Sequence, residues 1–391
     1  MWGTAFEQIR DIVSGGFPRW DRHLRAANGL DGVLTHNKPF AIAPAARIAR
    51  RAVGKFADSG RVPVALCDRN EALWGTAVCG VPILSYDEYA ARWPEGTLCV
   101  ASSLHDSDIC AFAASRGIQH VVSYPCLAHC YSEMFGTREY AGMTESVFHP
   151  DTMPSIEKLL DLLADDHSRQ VLLSKVLYYL TYDKSLLDGM RSQETMYWDA
   201  TVVRLRTDEV VVDGGAYRGD TLQSYEKASR GVFDRYYAFE PDPLVYADLT
   251  AVAARDPRIV CVGCGLSDTR ESIAFSISGA ADTTPASQAG VVSENVQYLN
   301  VLDLDSFFVG QSPPTFIKMD IEGGERRAIA GASALIESQR PTLAVSAYHH
   351  PRDLWEIPLL MAGRTSSAGL FLRHYTREVD DTVCYAVPMG L

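Results

Sequence analysis

VVVDGGAYRGDT, residues 210–221, reads as a buried strand that ends on Asp213, turns on Gly214, Gly215 and Gly219, and opens a helix at Asp220 and Thr221. A short apolar run bounded by a glycine turn predicts a strand of a parallel sheet, where both faces are covered and polar alternation is lost. Glycines let such a turn come close to a ligand. In doubly wound sheets ligands bind outside the carboxyl ends of the strands, so this turn is the first place to look for a site.

Charge narrows the ligand. An acid ahead of the glycines repels a pyrophosphate but suits a ligand with an ammonium group and no phosphate, of which S-adenosylmethionine is one. Twenty-seven residues after Asp213 the run YYAFE ends in Glu240, placed to accept both hydroxyls of a ribose, and Pro241 and Asp242 follow it. A glycine turn or a strand-end acid alone is commonplace; together they favour a nucleoside cofactor. Farther on, FIKMDIEGGE (316–325) brings Asp320 and Glu322 to the same edge, while Glu325 reads as a stabiliser of the next helix's N-terminus. SAYHHPRDLWEIP (346–358) adds Tyr348, His349 and His350. Neighbouring side chains of an extended segment point oppositely, so one histidine is expected to face the crevice. The ordinary alternative is two structural histidines.

Outward from this stretch the chain is α/β. From 207 on, the apolar runs YYAFEP, RIVCVGC, IAFSI, TFIKMDIEGGE, TLAVSAYHH, LFLRHYT and TVCYAVP follow the first strand, with helical stretches interspersed, predicting a doubly wound sheet over 207–391. GAADTTPASQAG (279–290), rich in small and turn-forming residues, is expected to be a mobile loop. Residues 151–206 read as a helical connector, their apolar positions recurring at three and four. Within residues 1–150, a second alternation over 38–125 predicts a smaller Rossmann-like domain. Its first turn, Ala43 to Ala49, has none of the glycines of a dinucleotide site, so NAD is not expected there. Asp68 ends the second strand, where an acid meets a ribose or simply caps a turn.

Composition sets the outer bounds. The 391 residues suffice for at least two domains, and no apolar run approaches the roughly 18 residues of a membrane span. Glu7 and Asp11 stand where a secretory signal needs a basic start and an apolar run, so a cytoplasmic chain is expected. Residues 1–150 hold 14 Lys+Arg against 15 Asp+Glu and residues 151–391 hold 22 against 34, so most of the net charge of -13 lies in the second part. Such a surface disfavours nucleic acid as a partner. Nine cysteines without an export signal fit reduced thiols. Cys126, His129 and Cys130 offer three soft ligands to zinc but lack a second knuckle, and buried thiols are the favoured reading.

The stretches VVVDGGAYRGDT, YYAFEPDP, CGLSD, FIKMDIEGGE with AIAGA, LAVSAYHHPRDLWEIP, LFLRHY and VCYAVP, in that order, resemble the FkbM-like S-adenosylmethionine-dependent methyltransferases. SQETMYWD (192–199) is similar to the segment before the domain in members with an N-terminal extension. The resemblance implies a class I methyltransferase sheet ending in an antiparallel hairpin, and O-methylation of a sugar, glycan or natural product. It places the cofactor on Asp213, Gly214, Gly215, Ala216, Tyr217, Gly219, Asp220, Thr221 and Glu240 with Pro241, and the adenine against Leu266, Ser267 and Asp268. Tyr217 and Arg218 are bulky for that turn, and Cys264 is a departure in the adenine segment.

The chemistry of a sulfonium asks mainly for a positioned nucleophile. Since an alcohol is barely ionised at pH 7, a base within hydrogen-bond reach adds rate, and His349 is the first candidate. Asp320 is expected near the sulfonium and aminoacyl end of the cofactor, and Glu322 on the acceptor hydroxyl. In the alternative, Asp320, Glu322 and His349 hold a divalent ion, though no dedicated metal set is assigned. The rival functions are an NAD-dependent oxidoreductase and a non-catalytic S-adenosylmethionine- or glycan-binding module. The expected partner is a small-molecule or glycan acceptor, with self-association left open.

Overall fold

A parallel strand buried on both faces needs helices to cover it, and both alternations in the sequence fold that way. The computed structural model describes residues 2–27, 30, 38–135, 139–276, 284–285, 296–365 and 367–389. Gly3–Thr152 with Val176–Lys184 form one unit, and Met153–Lys175 with Ser185–Leu391 the other. Among the described residues no helix is long and apolar enough to cross a membrane.

The first unit holds a six-stranded sheet in the order Ala77–Val78, Val81–Leu84, Ala65–Cys67, Phe40–Ala43, Thr97–Val100, His120–Val122. It is parallel apart from the Ala77–Leu84 hairpin. Asp68 is occupied by the backbone: Ala45 N–H donates to Oδ2 and Asn70 N–H to Oδ1, both at 2.9 Å. The carboxylate thus closes the glycine-free turn. Cys126, His129 and Cys130 share the helix Tyr124–Cys130, with His129 Nε2 3.4 Å from Asp21 Oδ1. Arg25 is paired with that aspartate at 3.0 Å and donates to the Cys130 carbonyl at 3.1 Å. The contact with Cys130, together with burial, pushes the Cys126 thiol well above its usual range. All nine cysteines are free.

In the second unit β1 (Val210–Gly214), β2 (Arg235–Phe239), β3 (Ile259–Val262), β4 (Phe316–Met319), β5 (Thr342–Ser346), β6 (Ala368–His374) and β7 (Thr382–Pro388) form one sheet, ordered β6-β7-β5-β4-β1-β2-β3. Strands β1 to β5 are parallel, and β7 lies antiparallel between β5 and β6. The chain winds outward from β1 to β3 and returns to place β4 beside β1, so the crevice opens at the β1/β4 switch point.

The run IAFSI does not join this sheet. Its strand, Glu271–Ser276, pairs antiparallel with Val296–Leu302 in a separate four-stranded sheet with Gly265–Leu266 and Thr284–Pro285. Ile273 and Phe275 alternate with small residues, which gives the strand one apolar face for a small core with Leu299 and Val301. Apart from Thr284 and Pro285, the predicted loop 279–290 lies outside the described residues.

Register explains the ion pair at the centre of the sheet. Lys318 of β4 lies directly opposite Asp213 of β1, both are buried, and Lys318 Nζ is 2.9 Å from Asp213 Oδ1. The same ammonium donates to the carbonyls of Gly214 and Gly215, at 3.0 and 2.8 Å. Tyr236 of β2 donates its hydroxyl to Asp213 Oδ2 at 2.7 Å. The segment before β1 is tied to the hairpin: Ser192 N–H donates to the His374 carbonyl at 2.7 Å and Tyr197 N–H to the Tyr385 hydroxyl at 3.0 Å.

Removing one partner of a buried ion pair leaves the other uncompensated, so Lys318→Met should lower the unfolding free energy by about 3–5 kcal/mol. Urea denaturation should read that loss, and the double variant with Asp213→Asn should recover more than half of it. Asp68→Ala orphans two backbone N–H groups and should destabilise the first unit by about 1–3 kcal/mol, read by the same method.

Candidate active site

A cavity of about 650 Å³ opens where β1, β2 and β4 end. Of the residues singled out in the sequence, Gly215, Tyr217, Asp220, Thr221, Glu240, Pro241, Leu266, Ser267, Asp320 and Glu322 line it; Asp213, Gly214, Ala216, Gly219 and His349 do not. Asp213 sits behind the wall because Lys318 and Tyr236 claim its carboxylate. The glycines answer first to the protein itself. Gly215 has φ +74°, and a Cβ there would stand 1.9 Å from the Asp320 carbonyl oxygen, so the close approach is between two backbone segments.

Glu240 keeps the position expected of it. Oε2 accepts from Tyr217 N–H at 3.0 Å and Oε1 from Asp242 N–H at 2.9 Å. Burial pushes its carboxyl up to about 7 against the pull of those two amides. At the other end, Asp320 Oδ2 accepts the Tyr197 hydroxyl at 2.7 Å and Oδ1 the Tyr348 hydroxyl at 3.0 Å. Burial disfavours its charge, but Lys318, His349 and Tyr197 outweigh that and hold the carboxyl below the usual range.

The two histidines part because β5 ends at Ser346 and the chain turns, so strand alternation does not govern them. His350 Nδ1 lies 3.2 Å from Asp353 Oδ2, at the start of the helix Asp353–Ala362. His349 lies among acids: Nδ1 is 3.0 Å from Glu325 Oε1, and Nε2 is 3.4 Å from Asp320 Oδ1 and 3.7 Å from Glu322 Oε2. Burial would strip its proton, but Glu325, Asp320 and Glu322 prevail and lift the imidazole to about 10. At neutral pH it is a cation. Glu325 is fully buried and accepts Ile321 N–H at 2.9 Å and Gly323 N–H at 3.4 Å, so it braces both the helix start and the histidine.

Three contributors escaped the sequence reading. Lys318 left a signal, a charge inside the apolar run FIKM that needs a buried anion. Tyr197 lies in SQETMYWD, whose resemblance gave it no role, because its partner is 123 positions away. Ile273, Ala274 and Phe275 line the cavity from the small sheet, which the sequence reading had merged with the large one.

These residues fit S-adenosylmethionine. Each oxygen of Glu240 takes one backbone N–H and keeps a lone pair for a ribose hydroxyl. Pro241, Leu266, Ile273 and Phe275 supply an apolar wall suited to adenine, and Asp320 and Glu322 supply negative charge suited to a sulfonium and an ammonium group.

Residues 213–381 match the family model described as Methyltransferase FkbM domain. The crystal structure of a methyltransferase FkbM from Methylobacillus flagellatus KT matches over 99% of this chain and 99% of its own, at 22% identity and a TM-score of 0.74, which shows a shared fold. Aeropyrum pernix fibrillarin with natively bound S-adenosyl-L-methionine matches 48% of this chain and 70% of its own at 13% identity, but its TM-score of 0.27 carries no weight. No curated protein matches the chain. The C-terminal region has the fold and the S-adenosylmethionine-dependent methyltransferase activity of the FkbM family, with S-adenosylmethionine as cofactor, and the N-terminal domain lies outside the family match.

A ribose hydroxyl donates to the ionised form of Glu240, so cofactor affinity should rise with pH. With the carboxyl at about 7, the ionised fraction grows roughly tenfold between pH 6 and pH 8. Calorimetry with S-adenosylhomocysteine should show that rise and a plateau above pH 8. Glu240→Gln should bind more weakly with a flat profile.

Proposed function

We propose that residues 207–391 carry a methyl group from S-adenosylmethionine to a hydroxyl oxygen of a sugar, glycan or natural product. The observation that carries this reading is that one cavity holds a ribose-type carboxylate, Glu240, and a second acidic pair, Asp320 and Glu322. When bound, the cofactor supplies an electrophilic methyl on a sulfonium.

The protein's share is positioning and charge. Tyr197 and Tyr348 grip one oxygen each of Asp320, so its charge is fixed before any ligand arrives. Holding a nucleophile about 3 to 3.5 Å from the reacting carbon is worth several kcal/mol, and a mobile carboxylate would forfeit part of that. Glu322 orients the acceptor hydroxyl and accepts its hydrogen bond. His349, expected as the base, already carries its proton at neutral pH and stands behind the wall, so proton acceptance falls to Glu322. An acidic wall repels phosphorylated or carboxylated acceptors, which favours a neutral hydroxyl compound.

Incubation with methyl-labelled cofactor and fractionated cell extract should give an alkali-stable methyl ether and an equal amount of S-adenosylhomocysteine. Cofactor binding without any labelled product would leave a binding module instead. Tyr197→Phe removes a hydrogen bond to a charged group worth about 1.5 to 3 kcal/mol and should lower kcat/KM about 10- to 100-fold, measured by product formation.

A further inference from the structure

One carboxylate oxygen gathers the turn that follows β4. Glu325 Oε1 accepts Ile321 N–H at 2.9 Å and Gly323 N–H at 3.4 Å, and His349 Nδ1 stands 3.0 Å from the same atom. The turn is one that needs holding. Glu322 has φ +55° and Gly323 φ +91°, and a non-glycine residue keeps a left-handed conformation only where its surroundings impose it. Glu322 is also the residue of this turn whose carboxylate lines the cavity beside that of Asp320.

We propose that His349 is a positioning residue: paired with Glu325, it clamps the turn from Asp320 to Gly324 so that the Glu322 carboxylate faces the acceptor. The effect on turnover rests on the methyl-transfer reading above; the clamp on the turn does not.

Charge, more than alignment, makes the contact. Neither ring nitrogen has a hydrogen-bond partner of good angle, so the approach of Nδ1 to Glu325 acts as an ion pair. Glu325 is fully buried, and a buried carboxylate left without a cation is costly. The neighbouring cations are engaged elsewhere: Lys318 pairs with Asp213 and acts on Asp320, and His350 pairs with Asp353. Around the His349 ring stand Glu325, Asp320 at 3.4 Å, Glu322 at 3.7 Å and, from the hairpin loop, Asp381. Of the acids that keep it cationic against burial, Glu325 acts most strongly. Tyr348 fixes the ring from its own side, with ring centroids 4.2 Å apart and its hydroxyl on Asp320. His349 stands behind the cavity wall, so its influence reaches the acceptor through the turn.

Amide hydrogen exchange of the full chain, resolved at Ile321 and Gly323 by NMR, reads the clamp without any acceptor. His349→Gln should speed exchange at both amides about tenfold while those of β1 and β4 keep their rates, and His349→Lys, which restores a cation, should recover most of the protection. The double variant with Glu325→Gln should exchange no faster than Glu325→Gln alone, because His349 acts through that carboxylate. If His349→Gln does not fold, this comparison carries the test, since the double variant removes both charges of the pair. In turnover, His349→Gln should lower kcat about 10- to 100-fold and leave affinity for S-adenosylhomocysteine within about twofold of wild type, since only the placement of Glu322 is lost. Unchanged exchange in His349→Gln, equal losses in the Gln and Lys variants, or a double variant faster than Glu325→Gln would overturn the assignment. A wild type that shows the exchange pattern but transfers no methyl group would remove the proposed function and leave the clamp.

Discussion

Lys318 is held inside the protein by an ion pair with the Asp213 carboxylate and by hydrogen bonds to the carbonyls of Gly214 and Gly215. The result is a lock between β1 and β4 at the switch point of the sheet. Gly215 is pressed against the Asp320 backbone by the same geometry, and Tyr217 and Glu240 are joined one step farther out. A shift of β4 by one residue would pull the ammonium from its acid and flip every side chain of the strand to the other face. The crevice therefore inherits its dimensions from an ion pair that touches no ligand.

That lock also sorts the charges. Asp213 is neutralised deep in the sheet, and Asp320, nearer the cavity, keeps two hydroxyl donors, the imidazolium of His349 and the more distant pull of Lys318. Tyr197 and Tyr348 can bond Asp320 without cancelling its charge, which keeps the wall electronegative while satisfying its oxygens. The effect reaches the hairpin loop: burial, with Asp320 and Asp380 nearby, raises the Asp381 carboxyl to about 6. The site is thus organised around concentrated negative charge, in keeping with a cationic cofactor.

The sheet was legible in the sequence because its signals are local. Apolar runs, the glycine turn and strand-end acids each act within a few residues, and Glu240 could be placed from spacing alone. Roles that depend on a distant partner were not. Asp213 looks like a cofactor contact until Lys318, 105 positions along the chain, is known to face it. His349 looks like a base until three acids are found around it. Asp68 was ambiguous for the same reason, since turn closure by Ala45 and Asn70 is visible only once the turn is folded. IAFSI has a strand's composition, but which sheet it joins is decided by pairing with residues 296–302.

Tyr197 lies sixteen residues ahead of Asp213, where the family match begins. Its neighbours are woven into the same structure: Trp198 donates to Ser224 at 2.9 Å and packs on Tyr225 and Phe316, and Asp199 accepts from Tyr375 at 3.0 Å. The folded unit therefore begins upstream of its sheet. A gene rearrangement joining a new leader at residue 207 would keep every strand and lose the hydroxyl that holds Asp320.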